Sequence, residues 1–420
     1  MQRKTILSKI IAMGIFLAAG LALLAQQQSF VEQSLVLNVE VPVRVFKDGK
    51  FQADLITKDF ELFEDGVPQK IEAVYLVQDG QIKRSDEKQR FMPEIERTLF
   101  LFLQVSEYSV RYKDALTNFI ETNLLPSDNL FIVTPLKTYR LRDNSLGMVT
   151  KEDIQKQLIE ILRADTLLAT SEYRQTIQSL SRLASQLTAV LSGGEERAPT
   201  DGYEASDGYD DARIMQELLL QYSSELLRLE TLREIQQFKL MDFARYLKNR
   251  PGQKHVFFIY QKEFIPTIEP RIMTQYLDLY QEHHDVLHNF SDIFNFNYRE
   301  TNINIEEVKK AYSDSSISIQ FLFVTMPAQQ EFGIRMEEHS EDVYNVWKEI
   351  SAATGGYFGA SARPEILLQT AVEATENYYL IYYTPKNIDY SEERKFRKIS
   401  VQVKDRPGCK VLHRIGYYED

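Results

Sequence analysis

One cysteine, one tryptophan and six histidines in 420 residues leave little room for several kinds of chemistry. The lone Cys409 excludes an intrachain disulfide, so stability has to come from a buried core. It follows Pro407-Gly408, a turn near the C-terminus, and reads as an incidental residue rather than a nucleophile. Past residue 25 no long apolar stretch follows that would cross a bilayer, which takes roughly 20 residues. Positive charge is the minority, 49 Lys and Arg against 61 Asp and Glu for a net charge of −12, so nucleic acid and anionic lipid are disfavoured as partners. Catalytic signatures are missing too: there is no G-x-S-x-G elbow, no phosphate-binding glycine loop closed by Lys-Ser/Thr, and no dinucleotide fingerprint after a strand. No catalytic residue, no metal and no cofactor is therefore expected, and the chain is not expected to be an enzyme.

What is there begins with an address. Arg3, Lys4 and Lys9 precede an apolar run from Ile10 to Ala25 that ends in small residues, the pattern of an export signal over residues 1–25. Mature protein is expected to start near Gln26, in the periplasm or the medium, without stable membrane insertion; an uncleaved anchor is the rival reading. The remaining chain, at 44% hydrophobic content, can bury a large core.

Residues 35–78 alternate apolar and polar side chains, with Leu37, Val39, Val41, Val43 and Val45 on one face. Asp48-Gly49 and Asp65-Gly66 supply tight hairpin turns, so the segment reads as a small antiparallel β module, followed by a polar linker from Gln78 to Arg90. From Arg97 the pattern changes to short apolar runs rich in β-branched and aromatic residues: Thr98 to Val105, Asn129 to Pro135, His255 to Gln261, Ser316 to Val324 and Tyr378 to Tyr383. Helical segments lie between them. One opens at Thr150, with Asp153 three residues on, and runs to about Arg163; another, from about Asp342 to Ala353, stops at Gly355-Gly356. The alternation predicts an α/β fold over residues 95–390, a doubly wound, mostly parallel sheet with helices on both faces. An acidic loop at 192–211, a long helical pattern from about Ala212 to Asn249 and an aromatic-rich insertion at 266–314 interrupt it. Residues 391–420 read as closing strands.

Five motifs in this order resemble a bacterial family of exported proteins with a von Willebrand factor A-related domain. They are Leu55 to Gly66, Pro251 to Phe257, Thr354 to Phe358, Tyr378 to Pro385, and Pro407-Gly408 with Arg414-Ile415-Gly416-Tyr417-Tyr418. The resemblance implies a Rossmann-like sheet with a ligand site at the carboxyl ends of its strands. In the family's standard form that site holds a divalent cation on an Asp-x-Ser-x-Ser strand end, a loop threonine and a second aspartate. Here the family's first Asp falls on Gln104 and its second Ser on Tyr108; only Ser106 matches, and Gln261 or Lys262 replaces the second Asp. The loop threonine aligns with Thr166 or Thr170, and Glu107 and Ser109 are possible substitute ligands. Losing both carboxylates removes the charge that favours a hard cation. The site is therefore expected to be degenerate and to bind a protein partner without metal through Gln104, Ser106, Glu107, Tyr108, Tyr260 and Gln261.

Other constellations have bland readings. His284 and His288, with His283, have a spacing zinc can use, but no glutamate completes H-E-x-x-H and a solvated helix face is the simpler reading. Asp201 to Asp211 lacks the alternating spacing of a calcium loop. The function expected is an exported, non-enzymatic protein-interaction module. A cation-dependent adhesion module with unusual ligands, a hydrolase of envelope polymers and a structural part of an envelope assembly are the alternatives.

Overall fold

The computed structural model describes residues 38–87, 91–125, 127–134, 136–141, 150–195, 208–279, 303–329, 334–386 and 395–419. The export segment, the three clustered histidines and most of the acidic loop lie outside them. Among the described residues no helix is long and apolar enough to cross a membrane.

The N-terminal strands are β1 (Val39–Lys47), β2 (Lys50–Phe51), β3 (Phe60–Glu64), β4 (Val67–Gln69), β5 (Ile71–Gln78) and β6 (Gln81–Glu87). Val39, Val41, Val43 and Val45 are buried, as the period-two pattern requires. Asp48-Gly49 and Asp65-Gly66 take the left-handed conformation expected of them, with φ of 50° and 76° and of 49° and 82°. Asp79-Gly80 does the same, at 52° and 68°, and turns the expected linker into the strand β6. That strand pairs only with β5 and is mostly exposed, so it carries polar residues and none of the apolar alternation that marks a covered strand.

The middle of the chain forms β7 (Arg97–Gln104), α1 (Val110–Asn118), β8 (Asn129–Val133), β9 (Thr138–Leu141), α2 (Lys151–Ala169), α3 (Ser171–Glu195), α4 (Gly208–Arg233) and α5 (Gln237–Lys248). After these come β10 (Gln253–Gln261), β11 (Phe264–Ile268), α6 (Pro270–Leu279), α7 (Ile305–Asp314), β12 (Ile317–Val324), β13 (Ile334–Glu338), α8 (Glu341–Ala353), β14 (Phe358–Ser361) and α9 (Pro364–Glu376). The chain closes with β15 (Asn377–Tyr383), β16 (Phe396–Val403), β17 (Lys410–Leu412) and β18 (Gly416–Tyr418). Thr150 caps α2 as expected, accepting from the Asp153 N–H at 3.2 Å. The long helical pattern after 212 breaks at residues 234–236 into α4 and α5, where Ile235 packs on the core instead of continuing the helix. Helix α8 ends where glycine was expected to end it, with Gly355 at φ 67°, and a Cβ on Gly356 would stand 1.8 Å from the Ile319 carbonyl oxygen.

These elements correct the expected fold class. The chain is not a doubly wound, mostly parallel sheet behind a small β module: three of its four described sheets are wholly antiparallel. Parallel pairing is confined to one sheet, ordered β14-β12-β10-β7-β8-β9, and even there β9 runs antiparallel to β8. The misleading segment was β15. Its continuous apolar run fits any strand covered on both faces, and it lies in an antiparallel sheet between β1 and β5, in the order β17-β1-β15-β5-β6. Strands β3 and β4 join β16 and β18 in a further antiparallel sheet, so the first and last segments of the domain fold together. The remaining pair is β11 with β13.

The sheet holding β7 and β10 is packed on both faces. Leu99, Leu101, Phe257 and Ile259 face α1, α2 and α9, while Phe100, Val256, Ile319 and Phe321 face α5, α7 and α8. Each face buries side chains worth about 1.5–3 kcal/mol apiece, so the strand ends sit on a rigid base.

Candidate binding site

At the carboxyl ends of β7 and β10 the chain leaves the sheet side by side, because these strands pair in parallel register with Tyr260 opposite Gln104. Gln261, the last residue of β10, is 6% exposed and turns its amide toward the loop after β7. Its Oε1 accepts from the backbone N–H of Ser106 at 3.1 Å and of Glu107 at 3.3 Å, and its Nε2 lies 2.9 Å from the Met326 sulfur.

Beside this tie, on the α5 and α8 face of the sheet, lies a cavity of about 860 Å³. Phe102, Phe258 and Tyr260 line it from the strands, Phe243 and Tyr246 from α5, and Trp347 from α8. The rings contact one another: Phe102 and Phe243 have centroids 5.2 Å apart, Phe258 and Trp347 4.6 Å. One charged pair borders the apolar space. Arg233 Nε donates to Glu263 Oε2 at 2.6 Å, and the same guanidinium reaches the His339 carbonyl oxygen and stands 3.6 Å from Asp342. Burial opposes the charged arginine, but Glu263, Tyr260 and Asp342 together outweigh it and hold the Arg233 pKa above its ordinary value. Burial, reinforced by Glu263, pushes the Tyr260 phenol well above its usual range, so it stays neutral.

The six residues expected to share a site are divided by the fold. Gln104, Ser106 and Tyr260 line the cavity. Gln261 holds the loop, and Glu107 is exposed, contributing its backbone N–H to that tie. Tyr108 packs instead against the core on the α1 and α2 face, with a buried hydroxyl that has no partner among the described residues. Of the two threonines, Thr166 is buried in α2; Thr170 closes that helix, donates to the Thr166 carbonyl oxygen at 2.7 Å and lines the cavity. Ser109 starts α1 without a side-chain cap.

These residues do not fit the divalent cation of the resembled family. The Gln261 carbonyl already faces two N–H donors, the end of β7 brings an amide where a carboxylate is needed, and Thr170 points back into its own helix. Among the described residues no group of three or more His, Cys, Asp or Glu side chains is placed to hold a metal ion. Nor do the described lining residues offer a nucleophile with its base: none is a histidine or cysteine, Glu263 is paired with Arg233, and Glu234 is exposed.

Arg233, Glu263, Phe243 and Trp347 were not anticipated. The first two are 30 residues apart, and nothing local to either announces the other; Trp347, the single tryptophan, was a visible signal inside a recognised helix.

Comparison with known proteins places the chain in no family. No family model matches, and no curated protein matches. Among solved structures, the chain is similar to the human COPII-coat protein Sec24c, at 8% sequence identity, over 83% of this chain and 46% of that one, with a TM-score of 0.28. The chain spans less than half the length of that protein, and so slight a likeness bears on neither fold nor function.

Proposed function

We propose that this is an exported, non-enzymatic binding protein that captures a protein partner without a metal, at the carboxyl ends of β7 and β10, by taking an aromatic or large aliphatic side chain of the partner into the adjoining cavity. The observation that carries the proposal is the pairing of a neutral, hydrogen-bonded Gln261 at the strand end with an aromatic cavity beside it. Tyrosine and tryptophan surfaces with a polar rim are what interaction hot spots use, and a space of this size accommodates one or two large side chains. The resemblance of the chain's motifs to exported von Willebrand factor A-related proteins agrees with a binding role outside the cytoplasm.

Tyr246, on α5 at the cavity, is 47% exposed and offers a point of attachment. A photoreactive amino acid in its place, activated in intact cells, should yield a discrete crosslinked protein, and the purified partner should change the fluorescence of Trp347. Absence of any crosslink under several growth conditions, or a partner that leaves Trp347 unaffected and crosslinks equally from a distant surface position, would overturn the proposal.

A further inference from the structure

The opposite end of the β7 and β10 sheet, where its parallel strands begin, gathers an excess of buried positive charge. Arg44 on β1, Lys254 on β10 and Arg414 before β18 are 2%, 5% and 7% exposed, and they border one small space of about 10 Å³. Among the described residues none of the three forms an ion pair. Arg44 donates from Nη1 to the Gly355 carbonyl oxygen at 3.0 Å, and Lys254 from Nζ to the Arg250 carbonyl oxygen at 2.9 Å. Arg414 donates to the carbonyl oxygens of Ser313 at 3.3 Å and Glu40 at 2.6 Å, and to Ser316 Oγ at 2.7 Å. The Nε–H groups of Arg44 and Arg414 are buried with no acceptor among the described residues. The carboxylates near these cations are engaged elsewhere: Glu40 by Gln253 Nε2 at 2.7 Å and by the Tyr382 hydroxyl, Glu94 by the Gly252 N–H at 2.9 Å, and Asp314 by Lys248 Nζ at 2.9 Å and the Tyr418 N–H at 2.8 Å.

Buried charges are normally paired, and buried donors normally find an acceptor. Three cations and two orphaned N–H groups around one small space therefore ask for a negatively charged acceptor. Two hydroxyls in the lining are free to add donors: Ser316 Oγ accepts from Arg414 and Ser318 Oγ accepts from Gln320 at 2.7 Å, so the hydroxyl hydrogen of each can turn to the space. A volume at the lower limit for one water molecule excludes phosphate, sulfate or a carboxylate ligand, and takes a monatomic anion once the flexible arginine and lysine side chains draw back slightly. Water would fit but brings no charge.

We infer that this space holds a single halide ion, chloride under ordinary conditions, bound by Arg44, Lys254 and Arg414 with Ser316 and Ser318. The ion links four parts of the chain that are distant in sequence: β1, the start of β10, the start of β12, and the segment before β18. The site is separate from the candidate binding site and does not depend on that reading.

The test uses the purified full chain. At constant ionic strength, gluconate is replaced stepwise by chloride or by bromide and the thermal midpoint is read. The midpoint should rise with the logarithm of halide concentration above the dissociation constant, as for any ligand that binds only the folded state. Crystals grown in bromide should show anomalous density between Arg44 and Arg414. Lys254→Met should abolish the halide response. Ser318→Ala, which removes no charge but also frees the Gln320 amide, should shift the response to several-fold higher halide and keeps the test decisive if Lys254→Met fails to fold. A midpoint indifferent to halide, or a crystal with bromide in the solvent and only a water or nothing in this space, would overturn the assignment.

Discussion

Replacing Gln261 with methionine isolates the tie between β10 and the loop after β7. The substitution keeps the length and most of the volume of the side chain and removes its carbonyl, so the N–H groups of Ser106 and Glu107 lose their acceptor. A hydrogen bond contributes about 1 kcal/mol net, and a fully buried donor left alone costs about 1–3 kcal/mol. Both bonds are only partly buried, so water can reach these donors and the lower figure applies to each, about 2 kcal/mol in all. The contact of Nε2 with the Met326 sulfur adds little, because a thioether is a weak acceptor. At roughly 2–4 °C per kcal/mol for chains of 150–250 residues, and proportionally less for a longer one, the melting temperature should fall by about 2–3 °C. Urea unfolding should show the same loss at an unchanged m-value, and hydrogen exchange at Ser106 and Glu107 should accelerate. A Gln261→Met protein as stable as its parent, with both amides equally protected, would refute the structural role given to this side chain.

Three further expectations rest on other buried groups. Lys254, desolvated and beside Arg414, has its pKa lowered to about 8 despite Glu40 and Glu94, so in the absence of halide the folded state binds fewer protons than the unfolded state between about pH 8 and pH 10.5; stability should gain as pH rises through that window, and the gain should be missing in Lys254→Met, compared by urea unfolding. His255 is buried with both ring nitrogens unpartnered among the described residues, and burial, with Arg44 and Arg97 nearby, holds its pKa well below 6.5. Below pH 6.5 the unfolded chain therefore takes up a proton that the folded one refuses, and His255→Leu should reduce the loss of stability on acidification while costing under about 1.5 kcal/mol at pH 7. Gly356→Ala should cost more than about 4 kcal/mol or prevent soluble expression, since its Cβ would overlap the Ile319 carbonyl oxygen; a normal melting curve for that variant would contradict the packing of α8 on β12.

The pattern of residues disclosed local structure far better than pairing. Val39 to Val45, the Asp-Gly turns, the Thr150 cap and the glycine stop after α8 all act within a few residues of themselves, and each stands where expected. The run from Tyr378 to Tyr383 was equally clear as a strand, yet period and composition report only that both of its faces are covered. Which neighbours it takes is decided by the approach of β1 and β5, more than 290 residues away. The candidate site followed the same rule. Residue identities at the strand ends showed that carboxylates were missing, and Gln261 and Gln104 are indeed amides there. The sequence could not show that Tyr108 turns to the other face, or that Arg233 and Glu263 meet across 30 residues beside a cavity built from many separate elements.

The central claim, a metal-free contact through the strand-end cavity, is tested most directly by the affinity of the crosslinked partner measured in EDTA, in Mg²⁺ and in Mn²⁺, with the parent protein and with Phe243→Ala. The account predicts the same dissociation constant in all three solutions and at least a roughly 30-fold weakening for Phe243→Ala, the loss of about 2 kcal/mol that marks a hot-spot contact. Binding that disappears in EDTA and returns with Mg²⁺ or Mn²⁺, while Phe243→Ala leaves it unchanged, would contradict it.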